Sequence, residues 1–102
     1  MREVFKISLS NVSLQILPVV PEEQIFDIVD QVIELIKKSG VNYIVGPMET
    51  SMEGDLEELL ALVIKAQDVC VQAGSKRVIS IVKIDYKPDG VSMNEKIDKY
   101  RP

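Results

Sequence analysis

Asn11-Val-Ser-Leu-Gln-Ile-Leu-Pro18 is the stretch on which the fold turns. Successive side chains of an extended chain point to opposite faces, so Val12, Leu14 and Ile16 share one side and Asn11, Ser13, Gln15 and Leu17 the other. The alternating pattern runs from about Val4 to Val20 and predicts a long first strand, ended by Pro18 and Pro21. Beyond it, Glu22 and Glu23 supply first-turn carboxylates for a helix whose apolar stripe is Ile25, Ile28, Val29, Val32, Ile33 and Ile36. Lys37, Lys38 and Gly40 mark its close.

A second strand fits Asn42 to Val45, Gly46-Pro47 forms a turn, and Met48 to Met52 is expected to return as the third strand of a tight hairpin. Asp55 with Glu58 three residues on is a capping pattern. It opens a helix with Leu56, Leu59, Leu60, Val63 and Cys70 on one face, widened by Leu62, Ala66, Val69 and Ala73, and ending near Gly74. The β-branched run within Arg77 to Tyr86 reads as a fourth strand with both faces at least partly covered, stopped by Pro88-Asp89-Gly90. Ser92 and Glu95 then cap a short tail helix carrying Met93, Ile97 and Tyr100 at helical spacing.

The order of elements predicts an α/β (α+β) fold, a ferredoxin-like βαββαβ sandwich with a four-stranded antiparallel sheet and a short C-terminal helix. Right-handed crossovers put both main helices on one face of that sheet. The other face is left open and carries Ser13, Gln15 and alternate residues of the hairpin and last strand. Apolar side chains there would call for cover by another subunit.

At 102 residues the chain suits a single domain, and with 46% hydrophobic but only 5% aromatic residues its core must be aliphatic. A formal charge of -4 opposes the electrostatic footprint of a nucleic-acid binder. The lone cysteine, the missing signal pattern and the lack of a long apolar run point to the cytoplasm and away from a membrane. There is no histidine, which removes the commonest general base and most zinc sites, and the five glycines match no nucleotide-binding spacing. The acidic clusters fall in helix first turns, where the helix dipole accounts for them without a metal. The expectation is a protein that is not an enzyme and carries no cofactor or metal.

Several stretches together resemble the thiamine-binding proteins of the YkoF-like superfamily. They are Asn11 to Pro18, Ser39-Gly40 with Tyr43-Ile-Val-Gly-Pro47, Thr50 with Glu53-Gly54, Gly74 with Arg77-Val78, and Val82-Lys-Ile-Asp85 followed by Ser92-Met93 and Lys96. The resemblance covers nearly the whole chain. It departs at Met52, where many relatives have Ile, and at Tyr86, where relatives often carry a basic residue. It implies a ferredoxin-like fold, self-association through the sheet into dimers or tetramers, and thiamine or a hydroxymethylpyrimidine as small-molecule ligand, held as carrier, buffer or sensor.

The candidate ligand-binding residues are Ser13, Gln15, Thr50, Glu53 and Lys83. Ser13 and Gln15 are polar positions on a strand otherwise fit for burial, and they need partners from a ligand or from a neighbouring strand or subunit. Thr50 could donate to a ring nitrogen and Glu53 could face a cation, or both could belong to the turn into the second helix. Lys83 either contacts the ligand or pairs with Asp85, its same-face neighbour. Cys70 reads as core filling. An oligomeric regulatory module binding an amino acid is the other functional reading this fold allows.

Overall fold

The structure, a computed structural model, describes residues 8–101. Strand β1 spans Leu9–Pro18, helix α1 Ile25–Ser39, β2 Asn42–Val45, β3 Thr50–Asp55, helix α2 Leu56–Gln72, β4 Val78–Asp85 and the short helix α3 Met93–Ile97. The four strands form one antiparallel sheet in the order β2-β3-β1-β4, so the fold is the expected ferredoxin-like α+β sandwich. The part of the expected first strand from Val4 to Ile7 lies outside the described residues.

The core follows from the parity of β1. Val12, Leu14 and Ile16 are buried against α1 and α2, with Met52 from β3, Ile28, Val32 and Ile36 from α1, and Leu59, Val63 and Cys70 from α2. Cys70 fills space there, and burial pushes its thiol up from its ordinary value. Helix α1 closes on Gly40, whose φ of 85° lies in the left-handed region that glycine enters without penalty. Ser75 ties the loop before β4 to the end of β1: its hydroxyl accepts from the Val19 amide at 3.1 Å and donates to the Arg77 carbonyl at 2.6 Å.

Four details differ from the sequence reading. Glu22 and Glu23 sit in a separate 3-10 turn, Glu22–Gln24, closed by the Gln24 amide on the Pro21 carbonyl, and α1 starts only at Ile25. Strand β3 begins two residues later than expected and runs three further. The Gly46 amide bonds the Glu49 carbonyl at 2.9 Å, which holds Met48 in the turn, and β1 draws Glu53 to Asp55 into its ladder opposite Asn11 to Leu9. In α2 the buried row runs through Leu59, Leu62, Val63, Ala66 and Cys70, with Leu56 and Leu60 only half-buried, because α2 packs on both α1 and the sheet. Finally, β4 is an edge strand. Val78, Ser80 and Val82 are half-buried on the helix side, but Ile79 and Ile81 on the other face are about half exposed, so a single chain covers only one of its faces.

Candidate functional site

The open face can be read row by row from the strand register. One row is Asn42, Glu53, Asn11 and Asp85, and the next is Ile44, Ser51, Ser13 and Lys83. Parity thus places Asn11, Ser13, Ser51 and Glu53 on the two central strands and Lys83 and Asp85 on β4. After Asp85 the chain turns at Gly90 and comes back across the start of β1, where the Val91 amide bonds the Leu9 carbonyl and the Asn11 amide group donates to the Val91 carbonyl at 3.3 Å. This return carries α3 over the lower part of the open face and buries Met93.

Between sheet and tail lies a cavity of about 400 Å³. Asn11, Ser13 and Ser51 form its floor, Ile44 and Lys83 stand at its sides, and Met93, Lys96 and Ile97 close it from α3. Two oxygens in that floor are buried with no hydrogen-bond partner, Asn11 Oδ1 and Ser13 Oγ. Polar atoms removed from water without a partner are costly, and these two face a cavity from which a polar group could reach them, whereas Ser10 Oγ, buried without a partner on the helix side, faces none.

Two ion pairs frame the cavity. Lys83 Nζ meets Glu49 Oε2 at 3.1 Å, linking the hairpin turn to the edge strand across β1 in the neighbourhood of Ser13. Lys96 Nζ meets Asp85 Oδ2 at 2.6 Å and fastens α3 to β4. The Glu49 carboxyl is held below the usual carboxylate range, chiefly by the hydrogen bond from Lys83 and next by the Ser13 hydroxyl, whose placement falls short of full hydrogen-bond geometry.

Of the residues expected from sequence, Ser13 and Lys83 line this cavity. Lys83 does not pair with Asp85 as the sequence suggested; each finds an opposite charge from another element instead, which same-face spacing along one strand could not reveal. Gln15 lies on the same face one step along β1, beside the hairpin turn and outside this cavity. Glu53 stands next to Asn11, but its carboxylate is engaged: Oε2 accepts from the Met93 amide at 2.7 Å and Oε1 from the Asn42 side chain at 3.1 Å. It holds the start of α3, while Asp55 caps α2, accepting from the Glu58 amide.

Thr50 is not brought into the group. It pairs with Leu14 and Val45 and is buried on the helix side of the sheet. A second, mainly apolar hollow of about 250 Å³ borders Thr50 and Gln15 between α1 and the hairpin turn. Sequence reasoning did not single out Asn11, Glu49 or Ser51 for the site; the available signals were two-residue offsets, Asn11 from Ser13 and Ser51 from Glu53, which set each pair on one face once the strand frame is known.

Comparison with known proteins gives a consistent picture. The family model described as thiamine-binding protein matches residues 12–101. A UPF0045 protein of Clostridium perfringens is 57% identical over 91 residues, which is 89% of this chain and 96% of that protein. Among solved structures, a DUF77 domain of unknown function from Bacillus cereus superposes with a TM-score of 0.88 at 42% identity, covering 93% of this chain and 92% of that one. A Thermotoga maritima protein assigned provisionally to thiamine biosynthesis or salvage superposes with a TM-score of 0.85 at 34% identity, covering 91% and 99%.

Proposed function

The chain belongs to the thiamine-binding protein family, and we propose that it binds thiamine, or the hydroxymethylpyrimidine that forms half of it, in the open-face cavity as a carrier, buffer or sensor rather than as an enzyme. The observation that supports the reading best is the pair of buried, unpartnered oxygens in the cavity floor, Asn11 Oδ1 and Ser13 Oγ. An aminopyrimidine presents an amine donor beside a ring-nitrogen acceptor. A carboxamide oxygen accepts from the first, and a hydroxyl can donate to the second. A cavity of about 400 Å³ also suits a molecule of this size, since small-ligand sites run from roughly 300 to 1,000 Å³.

In this reading Ser13 and Asn11 hold the pyrimidine and Lys83 and Glu49 border its charged part, with Gln15 near the mouth. Glu53 serves the ligand indirectly by holding α3, and Thr50 serves the core. Titration calorimetry with thiamine and with hydroxymethylpyrimidine tests it. We expect binding that Asn11→Ala and Ser13→Val each weaken by at least tenfold. No heat with either compound near 1 mM, where binding is worth about -4 kcal/mol, would reject the proposal; heat from an amino acid instead would favour the regulatory module.

Self-association through the sheet is part of the same proposal. Leu17 and Ile79 pair across β1 and β4 beside Ile81, all on the open face and 38%, 47% and 48% exposed. A second copy covering them would remove apolar surface from water and enclose the cavity further. Sedimentation of the native chain should show a dimer or larger, and Ile81→Lys a monomer.

A further inference from the structure

We propose that Lys83 is a tethered stand-in for the ligand's positive charge, and that the cavity selects cationic ligands by exchanging the Lys83 ammonium on Glu49 for the cation of the ligand. The inference rests on the reading that a thiamine-type compound occupies the cavity, and it adds which charge class is chosen and by what.

The geometry is specific. Glu49 comes from the turn that leads into β3 and Lys83 from β4, the two strands flanking β1, and their 3.1 Å contact spans β1 near Ser13, whose own hydroxyl is buried and unpartnered. A ligand reaching the Ser13 hydroxyl from the open face therefore meets this ion pair on its way.

Lys83 is the freer of the two partners to move. Glu49 is held in a tight turn by the bond from the Gly46 amide to its carbonyl, and a side chain at residue 46 would come within 3.0 Å of that same oxygen. Its carboxylate is also the more shielded, with the side chain 34% exposed. The Lys83 side chain is 68% exposed on a long flexible stem, so its ammonium regains water when it swings away.

The other carboxylates of this face are committed to structure. Asp85 takes Lys96 from α3, and Glu53 takes the Met93 amide and Asn42. Releasing either would loosen the tail that roofs the cavity, whereas releasing Lys83 disturbs no backbone. Glu49 is thus the carboxylate at the cavity that can change partner. A cationic ring arriving there replaces one positive charge by another; an uncharged pyrimidine leaves the ion pair in place and gains nothing from it.

The test is calorimetry of thiamine, a cation, and hydroxymethylpyrimidine, which is uncharged, against the native chain, Lys83→Met and Glu49→Gln, with denaturation midpoints recorded as a folding control. Removing the internal competitor should tighten thiamine about two- to fivefold, the size of an exposed ion pair, while hydroxymethylpyrimidine is unchanged. Glu49→Gln should weaken thiamine by about fivefold or more and again leave hydroxymethylpyrimidine unchanged. If Lys83→Met weakens thiamine, leaves it unaltered, or shifts both compounds equally, the exchange is overturned while thiamine binding stands. If neither compound binds the native chain, both the exchange and the reading beneath it fall.

Discussion

The two faces of the sheet are made from the same strands and do opposite work. On the helix side Val12, Leu14 and Met52 sit among aliphatic neighbours and are sealed from water. On the open side Asn11, Ser13 and Ser51 alternate with them residue by residue, and two polar oxygens there are buried without partners. A strand that alternates in this way gives one parity to cohesion and leaves the other for the recognition proposed above. Substitutions one residue apart on β1 should therefore affect different properties.

The largest effect should come from the sealed side. Leu14 is 3% exposed, and Leu14→Ala should cost about 2–5 kcal/mol in urea denaturation, from lost transfer energy and the cavity left behind. A cost under about 1 kcal/mol would mean that the helix layer is not the cohesive one.

Glu53→Ala, on the open side but structural, should cost about 1–2 kcal/mol, chiefly by orphaning the part-buried Met93 amide, since the exposed Asn42 side chain can turn to water. Hydrogen exchange should quicken at Met93 while amides of β1 stay protected. Equal loosening of β1 would blur the division between the faces.

Ser13→Val sharpens the contrast most directly. It replaces an unpartnered hydroxyl by a methyl of similar size and adds one further methyl beside the cavity, so stability should stay within about 0.5 kcal/mol, while ligand binding weakens at least tenfold. A large loss of stability would show that Ser13 belongs to the core.

The smallest effect is a titration. Because the folded Glu49 carboxyl lies below its ordinary 4.5, the stabilisation it shares with Lys83 is present above that value and fades as pH falls through the lowered one. Side-chain resonances of Glu49 should titrate below 4.5 in the native chain and move back toward it in Lys83→Met.

Much of this division could be read from the residues themselves. Alternation in Asn11 to Pro18, the glycine at 40 and the Ser92 cap are local signals, and the structure repeats them. The third strand was harder, since Glu53-Gly54-Asp55 has poor strand character and is extended only because β1 supplies its ladder. The face of Thr50 was hidden for the same reason: whether it joins Ser13 or Leu14 depends on the register between β1 and β3, which neither strand encodes alone. Glu49 was invisible as a site residue because it lies in a turn, and its importance comes from a cross-sheet distance to Lys83.

The anchoring of α3 also has a kinetic consequence. Its first amide is held by Glu53, 40 residues earlier, and its penultimate residue, Lys96, by Asp85 on the last strand, so the roof of the cavity cannot settle until the hairpin and β4 are both in place. The cavity is then among the last parts of the molecule to assemble and the first to come apart. A compound bound there should slow unfolding and leave the folding rate almost untouched, so that occupancy is read out as the lifetime of the folded chain.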